Sequence, residues 1–368
     1  MNKRGWSMLL LSALTLALAV SCGGKNPGGA SSSQPGSASQ SNEPSVSVIA
    51  PVTEPDPEYP YANPLTGEGL EEDISGKRPI AIMLNNLRKA LPQVGVAHAD
   101  VIYEIVAEGG ITRMMAVYQD IEGAGDLGAV RSARDYYVNL ALGHDAIFIH
   151  AGGSPQAYDA FDNWQVPHID FVNGPYGNMC WRDPDRRKTA GLEHSLLTSS
   201  EKILEQMPSR FTREHDSSYQ VGWTFTKEAP AGGQAASQLA VPFSSYKTGH
   251  FAYDAGQGGY QIVQYIDKTD VPYVDGGTNE AVTVSNVLVL YTDVSRVKGD
   301  DKGRMEVRTT GTGDGLLLRD GLLYEITWRR DDRKGCYSFQ DKSGQDIPLA
   351  VGPSYINIVG TSAEVTWE

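Results

Sequence analysis

Residues 128–158 read GAVRSARDYYVNLALGHDAIFIHAGGSPQAY, and the order of elements within them decides the fold class. Ala133, Tyr136, Tyr137, Leu140 and Ala141 recur at helical spacing, the pattern of a helix with one buried face. Ser132 precedes them and Asp135 follows three places later, close to a capping box. Asp145 to His150 (DAIFIH) is a short apolar run, which reads as a buried strand. Gly152-Gly153-Ser154-Pro155 then opens a second helix, with Ser154 as N-cap and Pro155 at the first helical position. Helix, strand and helix in succession are α/β grammar.

Working outward, Pro79 to Leu84 is a continuous apolar run closed by Asn85-Asn86, a further buried strand. Val101–Ala107 and Ile111–Tyr118 flank Glu108-Gly109-Gly110 and predict a hairpin. Thr198 to Glu201 is a third capping pattern, before Ile203, Leu204 and Met207, and Pro208 ends that helix. From about residue 221 the grammar changes. Val221–Thr226, Tyr260–Ile266, Ala281–Tyr291, Met305–Arg308 and Tyr355–Val359 read as strands. Leu316–Arg319, Asp320-Gly321 and Leu322–Trp328 make a type I′ hairpin signal. Gly311–Gly315 reads as a turn, and the small, polar stretch 227–240 reads as a boundary. The fold expected is α+β with two domains: an N-terminal α/β domain with a mixed sheet over 61–226, and a C-terminal, mostly β domain over 241–368, each with its own core.

Composition narrows the function. The 368 residues hold 31 Lys plus Arg against 45 Asp plus Glu, a net charge of −14. That balance argues against a general nucleic-acid binder, which needs a basic field. Three cysteines are too few for a disulfide scaffold or a four-cysteine zinc module. No HExxH or paired-cysteine signature occurs, so neither metal nor cofactor is expected. Cys180 and Cys336 leave one disulfide open in an oxidising compartment.

The address lies at the start. Residues 1–22 carry Lys3 and Arg4, an apolar stretch from Met8 to Val20, and Ala19-Val20-Ser21-Cys22. This is a secretory signal peptide with the form of a lipobox, and it marks Cys22 for lipidation. Residues 23–60 follow with 5 Gly, 8 Ser and 7 Pro among 38, a composition that cannot offset its ordering entropy by burial. As a flexible tether it would reach roughly 35 Å. The expected place is the extracytoplasmic face of the cell membrane, with the membrane as a partner through the N-terminal lipid.

The ends of the predicted strands collect the chemistry. Arg131-Ser132-Ala133-Arg134 leads into one helix and Gly152-Gly153-Ser154 into the next. In an open α/β sheet, ligands bind beyond the carboxyl ends of strands, where helix N-termini attract anions. Arg113, Arg131, Ser132, Arg134, Gly152, Gly153 and Ser154 are the candidate ligand-binding residues, for an anionic or polar ligand of the envelope. Serine caps and a glycine turn also have purely structural roles, so both readings stand. Glu104, Glu108 and His150 are the candidates for catalysis if the chain is an enzyme. Glu104 lies inside an apolar strand, an unusual place for a carboxylate. His150 with Ser154 does not make a nucleophile elbow, since GGSPQ lacks the closing glycine. Arg182, Arg186, Arg187 and Lys188 read as a solvated loop from which Arg182, with His194, can reach the same site.

The stretches RPIAIMLNN (78–86), ADVIYEIVAEGGITRMMAVYQD (99–120), 128–158 and GTGDGLLLRDGLLYEITWRR (311–330) resemble the YerB-like lipoproteins. That bacterial family is built from paired N- and C-terminal domains of unknown function. The resemblance covers most of residues 60–360. It implies a two-domain surface lipoprotein and supplies no activity. At Ala190-Gly191-Leu192-Glu193-His194 the chain departs from the family's Arg-x-x-Pro-His pattern, so no role passes to His194. The leading reading is a lipid-anchored ligand-binding protein. The alternatives are a cell-wall hydrolase or transferase, and a scaffold that presents the β domain to a protein partner. Oligomeric state is left open.

Overall fold

Strand Val101–Val106 is buried along its whole length, and of its two neighbours one is adjacent in sequence and the other comes from near the C-terminus. Thr112–Tyr118 pairs with it antiparallel, as the hairpin signal requires. On its other side Ser354–Gly360 pairs with it parallel, in the register Glu104 opposite Asn357. The computed structural model describes residues 57–215, 219 and 222–368. The signal peptide, Cys22 and the linker up to residue 56 lie outside the described residues, as does Val221.

Eleven strands form one mixed sheet. From one edge the order runs Gln234–Ala235, Leu322–Arg330, Gly311–Arg319, Asn286–Thr292 and Ser354–Gly360. It continues through Val101–Val106, Thr112–Tyr118, Ile80–Asn85, Ile147–His150 and His168–Asp170. Ser338–Gln340 pairs off this path with strand 322–330. The N-terminal part is α/β and the C-terminal part is mostly β, as the sequence predicts. The predicted pairing of one core with each domain is corrected by the sheet that the two parts share. The cores lie on its opposite faces. Ile80, Ile82 and Leu84 join Val287 and Val289 on one face. Ala81 and Met83 join Leu288 and Leu290 on the other. Side chains alternate along a strand, so each apolar run supplies both cores.

One face carries helices Asp135–Gly143 and Pro155–Trp164, through Tyr136, Tyr137, Leu140, Ala157 and Phe161. The other carries a second sheet that includes strands Gln238–Pro242, Lys247–Asp254, Gly259–Ile266 and Thr269–Pro272. Leu239, Val241, Phe251 and Ile262 pack inward from it.

Local signals held where the backbone was free to obey them. Ser154 caps its helix, accepting from the Ala157 N–H at 3.1 Å. Asp320 and Gly321 take φ of +55° and +72° between paired Arg319 and Leu322, the two left-handed residues that a type I′ turn demands. Three local expectations are corrected. The third short helix is capped by Ser199 and runs Ser200–Glu205. Gly311–Gly315 is the start of a nine-residue strand and no turn. Ser132 caps nothing, because the helix begins at Asp135 behind Arg134. Cys180 and Cys336 are both free thiols. The Cys336 Sγ donates to the Gly143 carbonyl at 2.7 Å.

Candidate functional site

Segment 131–133 crosses the carboxyl ends of the parallel strands 80–85 and 147–150. The Arg131 N–H donates to the Met83 carbonyl at 2.9 Å, and the Ala151 N–H donates to the Arg131 carbonyl at 3.0 Å. The Ala133 N–H donates to the Gly152 carbonyl at 2.9 Å, and the Ser154 N–H donates to the Ala133 carbonyl at 3.2 Å. These bonds tie residues 131–133 to the neighbouring strand ends, and the helix starts only behind them, at Asp135. They also bring the VRSAR and GGSP stretches side by side at the sheet's rim, as the strand-end argument predicts.

Three arginines gather there. Arg113 projects from strand 112–118, opposite Asn85, and is almost wholly buried. Its Nη1 donates to the Ser132 carbonyl at 3.1 Å, and its Nη2 lies 2.6 Å from Glu108 Oε1. Arg134 grips the same carboxylate with two bonds, Nη2 to Oε1 at 2.5 Å and Nε to Oε2 at 3.2 Å. Burial alone pushes the Glu108 carboxyl up. The two guanidinium groups more than reverse this and hold it at about 2. Desolvation and the neighbouring Arg134 bring Arg113 down to about 10. The Arg113 Nε has no partner among the described residues.

The third arginine is held more loosely. Arg131 Nη2 meets Glu193 Oε2 at 2.7 Å, and the Glu193 side chain is 68% exposed. Glu193 sits in the short turn Leu192–His194, which follows Gly191 at φ +100°. His194 reaches the rim from the same turn, its Nδ1 2.9 Å from the Asn85 Nδ2. Burial and the charge of Arg131 keep its imidazole below the usual histidine range. Arg182 Nη1 donates to the Leu192 carbonyl at 2.6 Å, and it lies within electrostatic reach of Arg131 and Glu193. Four guanidinium groups therefore face two carboxylates in a chain of net charge −14. The sequence pointed to Arg182 and to the VRSAR arginines. It gave no sign of Glu193, whose place depends on a loop folding back over the rim.

The Gly152–Ser154 turn joins this rim through backbone bonds but spends its own donor internally. The Gly152 N–H donates to Asp170 Oδ1 at 2.8 Å, and Gly152 takes φ +72°. Burial pushes the Asp170 carboxyl up, and donors from Tyr158, Gly152 and Val172 with the nearby His150 bring it below its ordinary value. Tyr158 donates to its Oδ2 at 2.7 Å.

The catalytic candidates are dispersed. Glu104 shares its face with Ile102, against the second sheet. His150 shares its face with Phe148 and stacks on Phe161 with ring centres 4.7 Å apart, on the helix side. The sheet stands between them. His150 Nδ1 lies 2.8 Å from the Gly152 carbonyl and its Nε2 lies 3.0 Å from His168 Nδ1. Burial lowers its pKa to about 4, so its imidazole is neutral at pH 7. Glu104 accepts from Asn86 at 2.8 Å, from Thr112 at 2.5 Å and from Tyr355 at 2.5 Å. It also pairs with Lys247 at 3.0 Å, out of contact with solvent. Glu108 is the counter-ion of two arginines.

The shared sheet and the paired halves define a family, and the chain belongs to it: the protein of unknown function DUF3048, whose N-terminal domain matches residues 65–214 and whose C-terminal domain matches 239–356. Among its relatives is a Bacillus subtilis (strain 168) protein named "Putative lipoprotein YerB", 28% identical over 314 residues, which cover 83% of this chain and 88% of the relative. The crystal structure of YerB from Bacillus subtilis superposes with a TM-score of 0.71 at 25% identity, over 83% of this chain and 99% of that one.

Proposed function

We propose that this chain is a lipid-anchored extracytoplasmic protein that binds an anionic group of the cell envelope at the arginine rim of its α/β half. The observation that carries the binding reading is the Arg131–Glu193 pair. A buried, doubly gripped carboxylate such as Glu108 is part of the fold. A carboxylate that is 68% exposed and held by one arginine contributes little stability and is readily exchanged for a ligand oxyanion. Arg131 is then the docking group, with Arg113, Arg134 and Arg182 supplying the surrounding positive field. The anchor rests on the lipobox-like Ala19–Cys22 and on the name of the Bacillus subtilis relative. A wall-directed hydrolase using Glu104 or Glu108 with His150 has weaker support, because Glu104 and His150 lie on opposite faces of the sheet.

The test is a calorimetric titration of the purified chain with a polyglycerol-phosphate oligomer and with a carboxylate-bearing peptidoglycan fragment. Hydrogen bonds to charged groups contribute about 1.5–3 kcal/mol, so Arg131→Ala is expected to weaken binding about tenfold or more. The unfolding midpoint is expected to stay close to that of the parent. A large loss of stability with unchanged binding would assign Arg131 to the fold and end the proposal.

A further inference from the structure

A cleft of about 720 Å³ opens where helices 135–143 and 155–164 end, and none of its lining residues belongs to the arginine rim. Its size falls among small-molecule sites, which run roughly 300–1,000 Å³. One wall is N-terminal in sequence: Arg78, Asp145, Trp164 and Gln165. The other is the turn after strand 322–330, with Asp332 and Lys334. The two family-defined halves thus meet across it.

The first wall is rigid. Arg78 Nη2 pairs with Asp145 Oδ1 at 3.2 Å, and Arg78 Nε donates to the Asp145 carbonyl at 2.7 Å. Asp145 and Gln165 both take left-handed backbone, φ +47° and +56°. Each closes one of the two helices at the lip of the cleft. Arg333, which is not part of the wall, sets its guanidinium 4.4 Å from the Trp164 ring centre and so steadies the indole.

The second wall is preformed too. Asp332 Oδ1 accepts from the Lys334 N–H at 2.7 Å and the Gly335 N–H at 3.1 Å. That turn holds Asp332 and Lys334 at the cleft's edge. Among the described residues, no ion pair or hydrogen bond engages Asp332 Oδ2 or the Lys334 ammonium. Gln165 spends its Nε2 on the Asp162 carbonyl at 2.5 Å, which leaves its Oε1 as an acceptor.

The walls carry both signs of charge: Arg78 is paired with Asp145, which His215 also contacts at 3.0 Å, and Asp332 and Lys334 stand side by side on the opposite turn. An anion meets Asp332, and a cation meets Lys334. An apolar ligand would strip water from both without replacing its bonds. What suits the walls is a neutral molecule whose groups both donate and accept, with an apolar face for the indole. We propose that this cleft binds a neutral oligosaccharide. Its hydroxyls donate to Asp332 Oδ2 and Gln165 Oε1 and accept from Lys334, while the C–H face of one ring lies on Trp164. The proposal is independent of the arginine rim.

The test is a calorimetric titration of the full chain with cellotetraose, chitotetraose and maltotetraose, with inorganic phosphate as the charged control. At least one sugar is expected to bind saturably, and phosphate is not expected to compete with it. Trp164→Ala should weaken that sugar about tenfold or more. The exposed double variant Asp332→Ala/Lys334→Ala should also weaken it about tenfold, with its unfolding midpoint unchanged. Arg131→Ala should leave it untouched. Failure of all three sugars to bind the parent chain overturns the proposal. So does a sugar affinity that survives the double variant, which remains folded even if Trp164→Ala does not, or a sugar displaced by phosphate.

Discussion

Lys247 Nζ lies 3.0 Å from Glu104 Oε1, with both side chains sealed from solvent. Glu104 belongs to strand 101–106 of the large sheet and Lys247 to strand 247–254 of the second, so one ion pair joins the two layers. Burial disfavours the charged ammonium and lowers its pKa, and Glu104 opposes that shift. Removing one member of a buried pair strands the other, at a cost of about 3–5 kcal/mol. Lys247→Met is therefore expected to lower the denaturant midpoint sharply. The double variant Glu104→Gln/Lys247→Met should recover part of the loss. A single variant as stable as the parent would show that the pair does not hold the layers.

The shared sheet has a consequence for dissection. Strand 354–360 sits between 286–292 and 101–106, bonded to both. Each core contains residues from before and after the 227–240 stretch. Residues 60–226 and 241–368, expressed apart, should each lack a cooperative unfolding transition, and mixing them should restore one. Cooperative unfolding of either half alone would contradict this.

Glu108 sets a pH dependence. Its folded carboxyl, at about 2, is below the ordinary 4.5. A carboxylate lowered on folding stabilises above its unfolded value and loses that contribution as pH falls through the folded one. The window is thus from about 4.5 down to about 2. Chemical denaturation of the parent and of Glu108→Gln across this range should give curves that differ most at neutral pH and converge in acid. Parallel curves would remove Glu108 from the account.

Glu193 competes with any ligand of Arg131. Glu193→Gln should strengthen binding of the polyglycerol-phosphate probe several-fold, by freeing the guanidinium, while Arg131→Ala weakens it. If the first change is neutral and the second is not, the rim still binds and Glu193 is a bystander.

Lipidation is tested at Cys22. Cys22→Ser should leave the precursor unprocessed or move the protein out of the membrane fraction, seen by fractionation and by mass. Normal processing with unchanged membrane retention would dismiss the anchor.

Much of the site was readable in the order of residues, and the unread part has a common cause. Arg113, Arg131 and Arg134 could be grouped because they fall at predicted strand ends and helix starts. Ser132 misled because its capping pattern is local, whereas segment 131–133 is claimed by long-range bonds to Met83 and Gly152. Glu104 could be flagged as out of place in an apolar strand. Its partners could not, since Lys247 and Tyr355 lie far along the chain.

The sequence by itself determined what short-range physics decides. The helix start at Ser154, the I′ turn at Asp320-Gly321 and the apolar runs of the central strands depend on neighbours a few residues apart. So do the lipobox-like start and the tether composition. Tertiary structure alone decided which strands lie side by side. Residues 354–360 entered the middle of a sheet begun at residue 80, because an apolar strand needs a bonded neighbour on both edges and cover on both faces. That choice placed the two cores back to back and separated Glu104 from His150. It also brought Glu193 over Arg131, since contacts between distant segments depend on the closure of the whole chain and on no local pattern.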